Sequence, residues 1–498
     1  MLFRREFCRN SLAIAGMTLG GAPSAALAAP AEVFPKVPGL TEYVANFIVN
    51  AKYEDIPSDV IALGKKSMLD GFGLALAGSV SEMGPLIRKY IQGLGFEKQG
   101  ASLIGTNLKA PPRFAALANG VSIHADDYDD TQLAVAKDRA YGLLTHPTIP
   151  TLPPAFALCE TRGRTGKELA LAYHVGVEVE SKIAEAISPR HYEDGFHTTG
   201  TIGSFGSAAA CAKLLGLNAK QIAYAFGVTS TATGGQRANF GSMSKPFQAG
   251  HAAENGVVAT DLAALGWTAS PNILEDELGY LHAAGGSYDP NAILNRLGKP
   301  WTFASPGVSI KPFPCGSLTH PAMGEMLRLI RENDIHAGDV DAVEVGGNSA
   351  MYSALFQHHP VNGLQGKFSM EFCMSILILE RKAGLGEFED AVVQRPDVQE
   401  MIKRVKFTND PEAERAGLDK MTSLLKIHLK SGKTLSGRAE FAKGSPANPM
   451  SYDEVADKFR GNADFARWPK AKTESVINLV KSIETAPDMH GLVTALTV

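Results

Sequence analysis

The stretch Asn119-Gly120-Val121-Ser122-Ile123-His124-Ala125-Asp126-Asp127-Tyr128-Asp129-Asp130-Thr131 sets four carboxylates and a histidine on an otherwise apolar segment. At about 100° per residue, Phe114, Leu117, Val121 and Tyr128 share one stripe of a helix. His124 lies within that stripe, Asp127 and Thr131 sit on its edge, and Asp126 and Asp129 point the other way. A helix that turns an acid, a hydroxyl and an imidazole toward its buried side either lines a polar pocket or carries core polar groups that have found partners.

Outward from this segment, helical spacing continues on both sides. Ser58 and Asp59 can cap a helix through Ile61, Met68, Phe72 and Leu76 that ends near Gly78. A second runs from Gly166 through Leu169, Val179 and Ile187 to the stop at Pro189. Thr201 to Leu217 is rich in Gly, Ala and Ser, which lets helices approach closely, and Asn218 starts the next helix. Long strand signals are absent up to about residue 300, so this part reads as a helical domain.

Past Pro306 the texture changes. Val343 and Val345 alternate with polar neighbours, as do Leu425, Ile427 and Leu429 ahead of a Ser431-Gly432-Lys433 turn. Before the first of these half-buried strands 324–332 has helical spacing, and between them 371–382 does. Ser451 then caps a helix with early acids Asp453 and Glu454, and the chain stays helical to residue 498. The fold class expected is mainly α with an α+β lid: a helical domain of residues 30–304 plus 446–498, and an inserted α+β domain of 305–445.

Residues 1–29 are set apart. Arg4-Arg5-Glu6-Phe7-Cys8-Arg9, a mildly apolar run from Ser11 to Ala22 and the small residues Ala26-Leu27-Ala28 have the layout of a twin-arginine export signal. Gly16, Gly20, Gly21 and Pro23 argue against an amphipathic first helix, and the run is too short for a permanent anchor. A periplasmic destination follows, with no membrane anchor after the signal is removed. The formal charge of −4 argues against a nucleic-acid partner. Cys159, Cys211, Cys315 and Cys373 are widely spaced without a CxxC, which suits neither a zinc ribbon nor a disulfide scaffold.

Three further places can carry chemistry. In Thr145-His146-Pro147 the proline holds His146 extended, outside any helix. Gly195-Phe196-His197-Thr198-Thr199 precedes the small-residue helix, whose first amides favour a carboxylate. Thr229 to Gly250 contains Asn239 and Lys245-Pro246, with Pro246 suited to the first position of a helix and Lys245 projecting at an anion. A phosphate loop is excluded because the GxxxxGK[ST] spacing is missing, and no nucleotide, flavin, haem or iron–sulfur motif is visible, so no cofactor is expected.

Asn119 to Thr131, Thr145-His146-Pro147, Gly195-Phe196-His197, Asn239 to Gly250, Lys311-Pro312-Phe313-Pro314-Cys315 and Lys367-Phe368-Ser369 together resemble, in order, the signatures of the MmgE/PrpD family. That family includes 2-methylcitrate dehydratase, cis-aconitate decarboxylase and iminodisuccinate epimerase. The resemblance implies a large helical domain, a smaller lid, a homodimer, and an active site in the cleft between the domains. It implies Asp127, His146, His197, Lys245 and Lys311 as catalytic residues, and Thr131, Asn239 and His320 as substrate-binding ones. Where the family's decarboxylase has a histidine five residues past the lid lysine and a lid tyrosine, this chain has Gly316 and Phe372. The activity expected is therefore a cofactor-independent lyase on a small polycarboxylate, of the 2-methylcitrate dehydratase type, with an epimerase or isomerase of a dicarboxylate as the alternative.

The chemistry stands without the family name. Removing a proton beside a carboxylate builds negative charge, and Lys245 and Lys311 are suited to neutralise it. His146 and His197 are suited to exchange a proton at neutral pH. Asp127 would orient a histidine or act as base, held by Thr131. Two other classes compete: Mg²⁺ bound by Asp126, Asp127, Asp129 and Asp130, and a two-domain carboxylate-binding protein without turnover. No second acid cluster answers the first, and the helical texture departs from the usual two-lobed α/β binder.

Overall fold

A computed structural model describes residues 34–95, 99–132, 145–417 and 420–498. The export-signal reading of residues 1–29 lies outside the described residues. Helices of eight residues or more are labelled in order: α1 Leu40–Asn50, α2 Ser58–Val80, α3 Met83–Gly93, α4 Pro112–His124, α5 Thr148–Arg162, α6 Gly166–Ile187, α7 Gly203–Leu215, α8 Ala219–Ser230, α9 Ser244–Ala264, α10 His320–Glu332, α11 Met370–Glu380, α12 Tyr452–Phe465 and α13 Lys470–Lys481. Among the described residues, no helix is long and apolar enough to cross a membrane.

Helix boundaries follow local chemistry. Thr165 and Glu168 form a reciprocal cap at the start of α6, Asn218 and Gln221 do so for α8, and Ser451 and Glu454 for α12. The first half also contains two-residue strands β1 Ala101–Ser102 and β2 Lys109–Ala110, too short to leave a periodic signal. α4 ends at His124, so residues 125–131 form an irregular turn and not the continuous helix that the apolar stripe predicts. The stripe holds for Phe114, Leu117 and Val121, which pack in one cluster; beyond His124 the acids are directed one by one by their partners.

Two glycines bring the key elements together. A Cβ on Gly120 of α4 would stand 2.8 Å from the Gly250 Cα, and one on Gly250 of α9 would stand 2.6 Å from the Leu117 carbonyl oxygen. The helices therefore touch backbone to backbone, which carries the turn after α4 up to the first turn of α9, where Lys245 is the second helical residue.

The second half builds a four-stranded sheet in the order β4-β3-β5-β6, with β3 Val340–Gly347, β4 Val405–Asn409, β5 Ser423–Leu429 and β6 Thr434–Ala439. β3 runs parallel to β4 and antiparallel to β5, and β5 and β6 form a hairpin. Val343, Val345, Leu425 and Ile427 face inward onto Met326 and Ile330 of α10 and Phe372 of α11 in one apolar core. The chain is thus a mainly helical protein with a mixed α+β domain. Beyond the sheet, α12 returns to α2: a Cβ on Gly73 would meet the Phe459 ring at 2.8 Å, and Lys458 pairs with Asp70 at 2.7 Å. Gly105 N–H donates to the Leu496 carbonyl oxygen at 2.8 Å, so the end of the chain also rests on the helical half.

Candidate active site

The turn after α4 scatters its acids to separate partners. Asp126 pairs with Lys367 at 3.2 Å. Asp127 pairs with Lys245 and, at 3.1 Å, with Lys311, which also donates to the Asp127 carbonyl oxygen at 2.8 Å. Asp130 accepts from the Thr148 hydroxyl at 2.6 Å. Lys458 reaches in from α12 to the Tyr128 carbonyl oxygen at 2.7 Å. Asp127 has a left-handed backbone, φ 52°, a conformation aspartate tolerates better than most residues and one that recurs at functional sites. Burial alone would raise its pKa, but the ammonium groups of Lys245 and Lys311 hold its carboxyl well below the usual range. Burial pushes Asp130 up to about 7, and pushes Asp70 up to about 6 against the pull of Lys458.

Asp129, which the helical-face reading turns away from the site, lies between two histidines. Its Oδ1 is 2.8 Å from His124 Nδ1 and its Oδ2 is 2.6 Å from His146 Nδ1. His146 Nδ1 is hydrogen-bonded to the Asp130 carbonyl oxygen at 2.9 Å, which keeps a proton on Nδ1 and leaves Nε2 as the basic nitrogen, while the Asp129 carboxylate lies against the ring as a counter-charge. The acid that serves the histidine is therefore Asp129, and Asp127 serves the lysines instead. The Thr131 hydroxyl donates to the Thr145 carbonyl oxygen at 3.2 Å. His124, fully buried, is pushed down to about 4 by burial, against the opposing effect of Asp129. His197 is held well below the ordinary imidazole range by burial, with like charge on His124, Lys245 and His146 adding to it. Its Nδ1 faces Gln248 Oε1 at 2.9 Å, and its Nε2 is buried without a hydrogen-bond partner among the described residues.

These groups open onto a cleft of about 380 Å³ between the helical half and the α+β domain. Asp127, Thr131, His146, His197, Lys245 and Lys311 all line it. Asn239 does not; its carbonyl oxygen accepts from the Ser242 hydroxyl at 2.7 Å, while its neighbours Arg237 and Phe240 face the cleft. His320 does not either. It is buried with Nε2 3.2 Å from the Cys315 carbonyl oxygen and borders a separate depression with Phe313 and Arg328. Phe372, at the position read as a replaced lid tyrosine, is in the apolar core.

Sequence reading missed Arg237, Asp129 and Lys458. Arg237 donates to the Tyr192 carbonyl oxygen at 3.0 Å and stacks over the Tyr192 ring at 3.9 Å, while its Nε is buried without a partner among the described residues. An arginine beside glycines in the same run as Lys245 was the available signal. The donor atoms of His124, Asp129 and His146 lie within 4.8 Å of one another, a spacing open to a metal ion. The adjoining ammonium groups of Lys245 and Lys311 oppose a further cation there. The four acids of the turn do not converge on a common point, which removes the geometric basis for the Mg²⁺ reading.

The MmgE/PrpD N-terminal domain matches residues 42–292 and the MmgE/PrpD C-terminal domain matches residues 313–484. The cis-aconitate decarboxylase of Homo sapiens is 27% identical over 468 residues, covering 92% of this chain and 94% of that protein. The Mus musculus cis-aconitate decarboxylase is 26% identical over 469 residues, with 92% and 93% covered. That of Aspergillus terreus (strain NIH 2624 / FGSC A1156) is 26% identical over 485 residues, with 92% and 96% covered.

Proposed function

Because this chain belongs to the MmgE/PrpD family, we propose that it is a cofactor-independent lyase that removes the proton beside a carboxylate of a small polycarboxylate and expels water from the neighbouring carbon. The observation that carries this reading is the pairing, across one cleft, of an Asp129-backed His146 with the Lys245–Asp127–Lys311 cluster. His146 Nε2 accepts the proton. Asp129 stabilises the resulting imidazolium. Charge developing on the substrate carboxylate is met by preorganised ammonium groups in a partly desolvated cleft. The neighbouring C–O bond then breaks, and the departing hydroxyl takes the proton held on His146 Nε2 and leaves as water, which returns the imidazole to its neutral form.

A second reading is decarboxylation of the cis-aconitate type, favoured by the names of the relatives. Both are tested by proton NMR of chelator-treated protein in D₂O with 2-methylcitrate, citrate, cis-aconitate and simple dicarboxylates. Deuterium entry or loss of water, abolished by His146→Ala and by Lys245→Ala, supports the dehydratase. Release of carbon dioxide without loss of water selects the second reading. Exchange that requires added Mg²⁺ overturns both.

We also propose export by the twin-arginine route, supported by Arg4 and Arg5, and a homodimer. A reporter fused to residues 1–40 should reach the periplasm and stay in the cytoplasm once both arginines are lysine. Sedimentation should give twice the chain mass; a monomer at micromolar concentration would refute the dimer.

A further inference from the structure

The cleft is chemically two-sided. The helical half contributes Lys245, Arg237, His146 and His197, which Lys311 joins on the charged side, whereas the α+β domain contributes a wall of Leu318, Met351, Leu355, Phe356 and Phe368. The polar groups on that second side are mostly engaged elsewhere. Asn348 accepts from the Met351 N–H at 2.9 Å and donates to the Lys420 carbonyl oxygen at 2.8 Å. Lys420 pairs with Glu440 at 3.9 Å. Met351 and Leu355 are 1% exposed and belong to the core, while Phe356 is 52% exposed, so the wall runs from the interior out to solvent. A six-carbon hydroxy acid, polar on every side, leaves such a wall unused. On the charged side, Lys245 and Lys311 already share Asp127, and Arg237 makes no ion pair among the described residues, so it is the cation left for a substrate carboxylate.

We propose that the natural substrate is an amphipathic polycarboxylate, whose carboxylates face Arg237, Lys245 and Lys311 and whose alkyl chain of several carbons lies along Leu318, Met351, Leu355 and Phe368 and leaves past Phe356. This rests on the polycarboxylate reading above and extends it to the substituent.

Calorimetric binding to the full chain tests it, with citrate and its 2-methyl, 2-butyl and 2-hexyl derivatives, and with octanoate as a tail bearing a single carboxylate. Each methylene buried on the wall should tighten Kd about fourfold until the chain emerges at the mouth. Phe356→Ser, a surface change, should cut the gain from butyl to hexyl, and Arg237→Gln should weaken all the citrates more than octanoate. Affinity that is flat or falls with chain length overturns the inference, and so does octanoate binding as tightly as the hexyl derivative. The NMR assay separates the two readings: affinity climbing with chain length but no deuterium exchange defeats the lyase alone. Exchange on citrate with flat binding defeats the alkyl chain alone.

Discussion

At the scale of single residues, the site depends on which acid serves which base. Asp129→Asn keeps the shape of the carboxylate but not its charge, so His146 loses the group that stabilises its protonated form. The expected outcome is a fall in kcat of about 10²–10³-fold, read by steady-state kinetics. Asp130 gives a different signature. Its carboxyl is raised to about 7 by burial, so the folded protein holds a proton there that the unfolded chain releases near pH ~4. That contribution to stability is full below the unfolded pKa and is lost as pH rises through about 7. His124, lowered to about 4, acts in the opposite direction, its contribution present above the unfolded pKa of ~6.5 and lost as pH falls. Asp130→Asn should therefore gain stability relative to the parent by about 2 to 4 kcal/mol between pH 4.5 and pH 7.5, measured by urea unfolding at both. The cluster of acids was plain in the sequence, but its assignments were not. Each carboxylate is satisfied by a residue that may lie nearby, as His124 does, or far along the chain, as Lys245, Lys311 and Lys367 do.

At the scale of elements, caps and stops were legible because they are local. Asn218 and Ser451 start helices where their side chains accept from amides three residues on, whereas Ser58, expected as a cap, is the first residue of α2 and Pro57 before it offers no side-chain cap. The alternation at Val343–Val345 and Leu425–Leu429 gave strands of the right type. The end of α4 was not legible, since the apolar stripe runs on in sequence through Tyr128 while the backbone leaves the helix at Ala125. Backbone contact between α4 and α9 is equally invisible locally. Gly250→Ala puts a methyl 2.6 Å from the Leu117 carbonyl oxygen, and backbone cannot yield as a flexible side chain would. The expected cost is about 1–3 kcal/mol in a thermal melt, with a drop in kcat/KM larger than that of Gly93→Ala, a helix position with open space around it.

At the scale of the whole molecule, the two halves meet at the cleft, and the C-terminal helices bind back onto the first half. Lys458 carries much of that join, with one ammonium on Asp70 at 2.7 Å and on the Tyr128 carbonyl oxygen at 2.7 Å. Lys458→Met leaves Asp70 buried without its counter-charge, which should cost about 3–5 kcal/mol. Asp70→Asn in the same protein should restore much of that loss, and a double-mutant cycle by urea unfolding reads the coupling. The composition and the change of texture along the chain foretold a mainly helical protein with a mixed α+β domain. They did not foretell that the return would prop the catalytic turn from below.

That prop has a consequence for the order of events at the ribosome. Lys458 is translated 330 residues after Tyr128, so a nascent chain carries the acidic turn, its histidines and both cleft lysines long before the ammonium that supports the turn exists. Until residue 458 emerges, Asp70 lacks its counter-ion, and the most polar part of the interior must stay hydrated. The turn therefore reaches its supported form only when the tail docks, after every residue of the cleft has been made.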